Sequence, residues 1–340
     1  MNPINREQQL MTEAAAALKS IARRPDVKSS VEQNPQLYQL LQRAAARYVT
    51  GDHQAQALEA GRILSDNGYA VSLEYIGENT KTLAECEHAT SELATLIGAM
   101  GKQGMSGRVS FDLSHIGLLL DAELALKHLL QLGQLAQPLG IELFISMEES
   151  AKTDDILHIY EKAVAIYPLI GITLQAHLHR TLQDAKAVLS AGTLVRLVKG
   201  AYEEHSNMAL SRSAELDRRY GELFQLAVER GCSISVATHD ESLITCLLGM
   251  DWRDAAGVEF ELLYGIRPEL CVRLRQQGQP VRVYLTYGQE WYLYLCHRIA
   301  EYPPNLFQAL IDMVDGKRQA PVMEYVQSSF ALDHSTHSAT

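Results

Sequence analysis

The chain of 340 residues carries a formal net charge of −11 at pH 7, with 47% hydrophobic and 21% charged residues. This composition is ordinary for a globular protein of one large or two smaller domains, and the acidic balance argues against nucleic acid as a partner, because phosphate binding needs a basic face. The cysteines are odd in number, scattered and without a C-x-x-C pair, which argues against a disulfide framework and favours a reducing, cytoplasmic setting.

The N-terminal residues 1–66 have helical character. Leu10, Ala14, Leu18 and Ile21 fall on one helical face, the stretch Pro25 to Pro35 is expected to break the pattern, and a helical pattern resumes at Tyr38. We predict a helical arm or cap that packs on the main domain. The start of the chain lacks the features of a signal peptide, and no run of about 18 apolar residues predicts a membrane span. Peripheral membrane contact stays open.

From residue 69 onward, short β-prone runs alternate with amphipathic helical stretches. The predicted strands are Ala70–Ile76, Arg108–Leu113, Ile141–Ile145, Ile170–Leu174, Leu194–Val198, Ser233–Ala237, Val258–Leu262 and Val281–Leu285. Helix signals lie between them, including a capping-box spacing at Thr181 and Asp184 and a first-turn proline at Pro268.

Strand–helix alternation of this kind favours parallel strands, because each crossover needs a helix. Eight such units predict an α/β fold, a (β/α)8 barrel of the TIM type over residues 67–327. The alternative is an open doubly wound sheet, which is disfavoured because no G-x-G-x-x-G follows the first strand. The polar residues 328–340 are expected to be a disordered tail.

In such a barrel the active site lies at the carboxyl ends of the strands. Arg196 and Lys199 occupy an otherwise apolar strand end, LVRLVKGAY, where a buried cation needs an anion. Either they pair internally with Glu148 or Glu261, or they form a cationic wall for a charged cofactor. Gly200 and Ala201 are small enough to let a bulky ring approach the backbone.

Two histidine patterns could carry chemistry. His239 follows Thr238 at the end of a strand, where a ligand contact and a structural role are both open. His177 and His179 form an H-x-H, but no third ligand for a metal is evident, and we predict no metal site.

Several segments together resemble one known family. They are ISMEES (145–150), QAHLHRT (175–181), VRLVKGAY (195–202), ATHDE (237–241), EFELLYGIR (259–267) and the segment 281–305. In this order they are similar to the proline dehydrogenase family, both its single-function enzymes and the corresponding domain of bifunctional proline-oxidising proteins, over residues 69–310. The resemblance implies non-covalent FAD at the rim of the barrel. It also implies hydride removal from the carbon beside a ring nitrogen to flavin N5, an imine product, and electron transfer to a quinone or another acceptor such as oxygen.

The resemblance also implies roles for individual residues. It places Met147, Gln175, Arg196, Val198, Lys199, Gly200, Ala201, Thr238, His239 and Glu301 at the cofactor. It implies catalytic positions at Ser146, Arg196, Tyr202 and Tyr284, with the two tyrosines as walls of the substrate pocket. Glu78 matches an acidic residue that can gate that pocket.

Three departures from the family pattern fall together. Family members carry a Lys after the second strand in V-S-x-K-x-S, and here that position is Asp112. Two consecutive arginines in the last barrel helix are here His297 and Arg298, and the Asp of D-M-E is Ser146. Since the family holds the proline carboxylate with that Lys and both Arg, Asp112, His297 and Arg298 become the predicted substrate contacts of an altered site.

Three hypotheses follow. The substrate is a cyclic or secondary amine without a free α-carboxylate, or one whose cation or donor Asp112 receives. Alternatively, a protonated His297 with Arg298 still serves L-proline, giving pyrroline-5-carboxylate. The third reading is a flavin-binding homologue with weak turnover and a regulatory role. A non-flavin barrel, such as a Lys199 Schiff-base aldolase, is the class that a colourless protein would indicate. The oligomeric state is left undetermined.

Overall fold

A computed structural model describes residues 3–22, 24–77, 80–252, 257–301, 304–314 and 321–326. The eight strands are all parallel, each pairs with the next, and β8 pairs with β1, so the sheet closes into a barrel. The strands are β1 (Ala70–Tyr75), β2 (Arg108–Phe111), β3 (Glu142–Ile145), β4 (Ile170–Gln175), β5 (Leu194–Val198), β6 (Ser233–Ala237), β7 (Val258–Leu263) and β8 (Val281–Tyr287).

The predicted (β/α)8 fold is confirmed, and the open-sheet alternative is wrong. Two strands, β5 and β6, have the predicted bounds, and the other six differ from the prediction by one or two residues at an end. The strand β2 ends at Phe111, earlier than predicted, because Leu113–Ile116 form a 3-10 turn directly after Asp112.

The helices surround the barrel and precede it. They are α1 (Pro3–Ala22), α2 (Pro25–Glu32), α3 (Pro35–Ala45), α4 (Gln54–Asp66), α5 (Leu83–Lys102), α6 (Ala122–Ala136), α7 (Thr153–Val164), α8 (Thr181–Val188), α9 (Ala214–Glu229), α10 (Glu241–Leu248), α11 (Pro268–Gln276), α12 (Trp291–Glu301) and α13 (Pro304–Val314). A 3-10 turn, Pro321–Tyr325, follows α13.

Two local predictions are wrong. The stretch from Pro25 to Pro35 is not a break, because both prolines occupy the first turn of a helix, where a fixed φ and a missing N–H cost little. The Asn34 side chain accepts from the Leu37 amide at 3.1 Å and so begins α3. Thr181 does not cap α8; its hydroxyl donates to the Gln175 carbonyl at 2.6 Å.

Strand β7 places apolar side chains outward and polar side chains inward. On β7, Phe260 and Leu262 belong to the core between the barrel and its helices, whereas Glu259 and Glu261 form ion pairs with arginines of other strands. Since successive side chains of a strand alternate in direction, the E-F-E pattern puts both carboxylates on the inner face. The interior of this barrel is therefore lined with charge.

A second apolar core joins the N-terminal helices to α12 and α13. It includes Tyr48, Trp291 and Leu295 together with Ile76 and Ile266, which directly follow β1 and β7. This core therefore lies at the carboxyl end of the barrel, and α12 lies there with it. Helix α1 packs on α12, while α4 contacts β1 and β8.

The division into an arm, a barrel and a tail stays a prediction, and residues 328–340 lie outside the described residues. Within the described ranges, none of the helices has both the length and the apolar character that crossing a membrane requires.

Candidate active site

The guanidinium of Arg196 occupies the centre of the barrel interior and is 4% exposed. Its Nε donates to Glu261 Oε2 at 2.8 Å, and its Nη2 donates to Glu261 Oε1 at 2.7 Å. Nη2 also donates to the Ser110 hydroxyl at 2.8 Å. The rings of Phe144 and Tyr284 lie 4.8 and 4.9 Å from its Cζ. Of the two partners that the sequence left open, the structure selects Glu261.

Glu261 stays ionised although it is buried. Burial alone would raise the pKa of its carboxyl, but the charges of Arg196 and Arg108 outweigh burial and lower it to about 2. The pKa of Arg196 is correspondingly raised, because the interaction with Glu261 outweighs its desolvation. Glu148, the other predicted partner, accepts from Lys152 at 2.7 Å instead.

Lys199, at the end of β5, is held by two carboxylates. Its ammonium donates to Asp240 Oδ2 at 2.6 Å and also to the Asp217 carboxylate on α9. Burial would raise the pKa of Asp240, but its hydrogen bond with Lys199 makes the net shift a lowering. The lysine is thus fixed at the rim, beside Val198, whose carbonyl accepts from Ala176 at 2.8 Å.

Gly200 is required by a histidine ring that packs against it. Its φ is +108°, and a Cβ there would lie 1.6 Å from His177 Nδ1. The ring that packs against Gly200 is therefore the imidazole of His177, while Ala201 is exposed, and the approach of a cofactor ring stays a prediction.

The two ring nitrogens of His177 have different surroundings. Its Nδ1 lies 3.1 Å from the Lys199 carbonyl, to which it can only donate, and burial lowers the pKa of the imidazole, so the ring is neutral at pH 7. Nε2 is then a bare acceptor. It is buried, and no hydrogen-bond partner is found for it among the described residues. Such an atom calls for a donor from a ligand or water.

Gln175 lies next to Met147 and Glu148. The Gln175 side-chain amide donates to the Glu148 carbonyl at 2.9 Å, and Met147 is buried. The Glu148 carboxylate accepts from the Ser114 amide at 3.0 Å and from the Ser114 hydroxyl. Ser146 is half-buried, and its amide donates to Phe111 at 3.0 Å.

Thr238 and His239 follow β6 at the same rim. His239 Nε2 accepts from the Leu263 amide at 3.1 Å, which leaves the proton of the neutral ring on Nδ1. Burial, with smaller effects from Arg298 and Arg267, lowers the pKa of His239 to about 3. The Thr238 hydroxyl accepts from the Asp240 amide at 3.2 Å.

Acidic residues act on Tyr284, which the resemblance assigns to the substrate pocket. Burial raises the pKa of its phenol, and the charges of Glu74, Glu261 and Asp112 raise it further, against the opposing effect of Arg196. Asp112 therefore lies close enough to Tyr284 to act on its pKa, and the role of both residues in a substrate pocket stays a prediction.

The remaining predicted residues lie on α12 and in the loop after β5. His297 and Arg298 are half-buried on α12, and Arg298 lies close enough to His239 to add to the lowering of its pKa by burial. Its Cζ lies 4.9 Å from the Tyr294 ring. Tyr202 is half-buried. The side chain of Glu301 and the whole of Glu78 lie outside the described residues.

The H-x-H histidines diverge. His177 faces Lys199, whereas the Nε2 of the exposed His179 lies 3.2 Å from the Ser206 carbonyl. In the described part of the chain, no three His, Cys, Asp or Glu side chains could hold a metal. A groove of about 370 Å³ lies on the outer face of α6 against Tyr167 and contains none of the predicted site residues.

This rim fits the flavin nucleotide that the resemblance implies. It offers a buried guanidinium at Arg196, an ammonium at Lys199 and a buried bare acceptor at His177 Nε2. Glu261, Asp217 and Asp240 already compensate the charges of these two cations, so Arg196 and Lys199 suit the flavin nucleotide as hydrogen-bond donors, and the acceptor suits a hydroxyl or N–H donor.

Comparison with known proteins decides the family. The sequence profile described as proline dehydrogenase matches residues 57–303. The chain is 33% identical over 264 residues to proline dehydrogenase 1 of Bacillus subtilis subsp. natto, covering 77% of this chain and 87% of the relative. It is 31% identical over 308 residues to the proline dehydrogenase of Deinococcus radiodurans, covering 88% of this chain and 97% of the relative.

The chain belongs to the proline dehydrogenase family.

Solved structures agree on the fold. Proline utilization A from Bdellovibrio bacteriovorus, inactivated by N-propargylglycine, superposes with a TM-score of 0.67 at 18% identity. The match covers 82% of this chain and 36% of that protein, so the chain spans about a third of its length. At this identity the likeness shows the fold.

The sequence assigned no contact with the cofactor to three residues of this site. Asp217 lies on a helix 18 residues beyond Lys199, and no pattern pointed to it. His177 was considered only for a metal. Glu261 was named as one of two partners, and the alternation E-F-E could have selected it, because that alternation turns Glu261 toward the barrel axis.

Proposed function

We propose that this protein is an FAD-dependent oxidoreductase acting on CH–NH donors, and that its substrate is a cyclic or secondary amine other than free proline. The product is the corresponding imine, and a quinone or oxygen takes the electrons. Membership of the proline dehydrogenase family supports the reaction type. The carboxylates of Glu74 and Asp112, which lie near Tyr284, support the change of substrate.

FAD, when bound, supplies the acceptor for the hydride taken from the carbon beside the amine nitrogen. Arg196 would hold the flavin edge with Nη1, whose hydrogen bond to Thr173, at 3.5 Å, is its weakest. Lys199 and His177 would bind polar groups of the cofactor. His239, kept neutral by burial, adds no charge of its own at neutral pH.

The observation that carries the substrate proposal is Asp112, an acid at the position where the family pattern has a Lys. Its carboxylate, with that of Glu74, lies near enough to Tyr284 to raise the pKa of this buried phenol, against the opposing effect of Arg196. A substrate carboxylate at this wall would meet like charge, whereas an ammonium or a neutral donor would meet a partner.

Charge arithmetic makes the effect large. Relative to the family pattern, Lys to Asp112 changes the local charge by about two units, and Arg to a neutral His297 by about one more. One charge pair at ~4 Å contributes roughly 4 kcal/mol at an effective dielectric constant of about 20. Part of that free energy already corresponds to orders of magnitude in affinity for a carboxylate.

A second candidate is ordinary L-proline oxidation. Identity above 30% to proteins named proline dehydrogenase favours it. Arg298 also favours it, because its positive charge lies close enough to His239 at the rim to affect the pKa of that histidine. In this case Arg298 and a protonated His297 would hold the carboxylate, and the product would be pyrroline-5-carboxylate.

An anaerobic flavin-reduction screen tests these readings. The purified protein should be yellow, and amidated or decarboxylated cyclic amines should bleach it while proline does not. Bleaching by proline at a comparable rate would establish the second candidate instead. No bleaching by any amine would indicate a flavin-binding protein with a regulatory role. A colourless protein that cannot be reconstituted with FAD would refute the flavin assignment and revive a non-flavin reaction at Lys199.

A further inference from the structure

Glu261 contacts two buried arginines at once. Its Oε2 accepts from Arg196 Nε at 2.8 Å and from Arg108 Nη1 at 3.1 Å, while its Oε1 accepts from Arg196 Nη2 at 2.7 Å. All three side chains are at most 5% exposed. A carboxylate shared in this way is fixed in position by both partners.

The charges of the barrel interior balance in these contacts. Arg108 also pairs with Glu142 at 2.8 Å and Glu259 at 3.1 Å, and Arg282 pairs with Glu259 at 2.7 Å. Three guanidinium groups thus meet three carboxylates. Of the three carboxylates, Glu261 is the one that contacts Arg196, so removal of its charge leaves Arg196 with less compensation.

The contacts also fix the direction of Arg196. Nε and Nη2 are engaged by Glu261 and Ser110, and the Phe144 and Tyr284 rings lie near the guanidinium group. Nη1 keeps only the 3.5 Å contact with Thr173 among the described residues. Glu261 therefore determines which guanidinium nitrogen is left for a ligand.

We infer that Glu261 is a positioning residue that aims Arg196 Nη1 at the flavin and reduces the positive potential there, holding the flavin reduction potential down. This inference rests on the proposed FAD function. Reduction by two electrons and one proton adds one negative charge to the flavin. A less compensated Arg196 would stabilise that charge, because low-dielectric surroundings strengthen the interaction.

The variant Glu261→Gln separates this role from a purely structural one. The amide keeps the shape and loses the charge. The flavin potential, measured by equilibration with a reference dye, should rise, with the reduced-to-oxidised ratio at a fixed potential increasing about tenfold, equivalent to about 30 mV for two electrons. An unchanged or lower potential in a folded, FAD-loaded variant would overturn the inference.

Two further variants complete the design. Glu261→Asp keeps the charge but shortens the side chain. The reduced-to-oxidised ratio of the flavin at a fixed potential should therefore stay within about twofold of wild type. Because Arg196 is no longer held in place, kcat should fall by a larger factor than KM changes. Glu259→Gln is the matched control, because it removes a carboxylate from the same strand that contacts Arg282 and Arg108. An equal rise of the potential in Glu259→Gln would show that any lost interior charge suffices and would contradict a specific role for Glu261.

If Glu261→Gln yields no folded protein, Arg108→Gln tests the same contact with the opposite sign. Loss of the Arg108 guanidinium leaves the negative charge of Glu261 less compensated beside Arg196. The flavin reduction potential should therefore fall, and a rise would overturn the inference. Wild-type protein that binds no FAD would instead refute the proposed function itself. The two failures are therefore distinguishable.

Discussion

At the scale of single residues, the rim combines retained and exchanged side chains. Arg196, Lys199 and His239 are residues to which the resemblance assigns flavin contacts, and each has a defined partner in the structure. Asp112 and His297 occupy positions where the family pattern has cations. Substitutions at Asp112 and His297 leave Arg196, Lys199 and His239 unchanged, so the exchanged residues can be tested separately from the retained ones.

Restoring the cations should restore activity toward proline. In the double variant Asp112→Lys with His297→Arg, we expect kcat/KM for proline to rise at least about tenfold, since tenfold corresponds to only ~1.4 kcal/mol of improved binding. Steady-state kinetics with an artificial electron acceptor measures it. Asp112→Asn, which removes the acid without adding a cation, should give a smaller gain. Absence of any gain in the double variant would count against the charge explanation of the substrate.

At the scale of elements, the N-terminal and C-terminal helices are tied together beside the rim. Arg47, directly after α3, donates to Asp312 on α13 at 2.6 Å, and both side chains are at most 7% exposed. Arg47 also pairs with Glu324 in the last 3-10 turn at 3.4 Å. Since α3 and α13 both contact α12, this pair supports the helix that carries His297 and Arg298.

Arg47→Met should destabilise the protein strongly, because it removes a buried guanidinium that pairs with Asp312 and Glu324. We expect the free energy of unfolding to fall by about 3 kcal/mol, in the range observed for broken buried ion pairs. Urea unfolding followed by circular dichroism measures the change. Arg62→Met breaks the exposed pairs with Glu59 and Asp66, which solvent screens, and should leave the free energy of unfolding almost unchanged. Equal losses in the two variants would contradict a special role for the buried pair.

At the scale of the whole molecule, acid should destabilise the fold through buried neutral histidines. Burial lowers the pKa of His115 to about 4, with a smaller effect of His88. A histidine whose pKa is lower in the folded state stabilises the fold above the unfolded pKa of about 6.5. That stability is lost as the pH falls from there toward 4, because only the unfolded state takes up the proton.

His115→Gln should flatten this dependence. Between pH 6.5 and 4, the slope of unfolding free energy against pH should decrease by about 1.4 kcal/mol per pH unit. Urea titrations at a series of pH values measure the slope. His158→Gln, on an exposed face of α7, serves as the control and should leave the slope unchanged. If the slope stayed the same in His115→Gln, the buried imidazole would not be the group responsible.

Much of this architecture could be predicted from local patterns. Apolar runs bounded by turn residues marked all eight strands to within two residues, because buried parallel strands and their crossover helices alternate along the chain. The ordered motifs from ISMEES to the segment 281–305 predicted the family, which the profile match confirms. The helix α2 was missed because a proline reads as a break until its place in the first turn is known.

The sequence by itself determined the barrel and the family, and it named part of the polar residues at the rim, because spacing along the chain is enough to place strand ends at one edge. Only the tertiary structure decided the pairings: Arg196 with Glu261, Lys199 with Asp217 and Asp240, and His177 against Gly200. These partners lie 18 to 65 residues apart for the ion pairs. Closure of the barrel brings them together, and no local pattern records which carboxylate will face which cation.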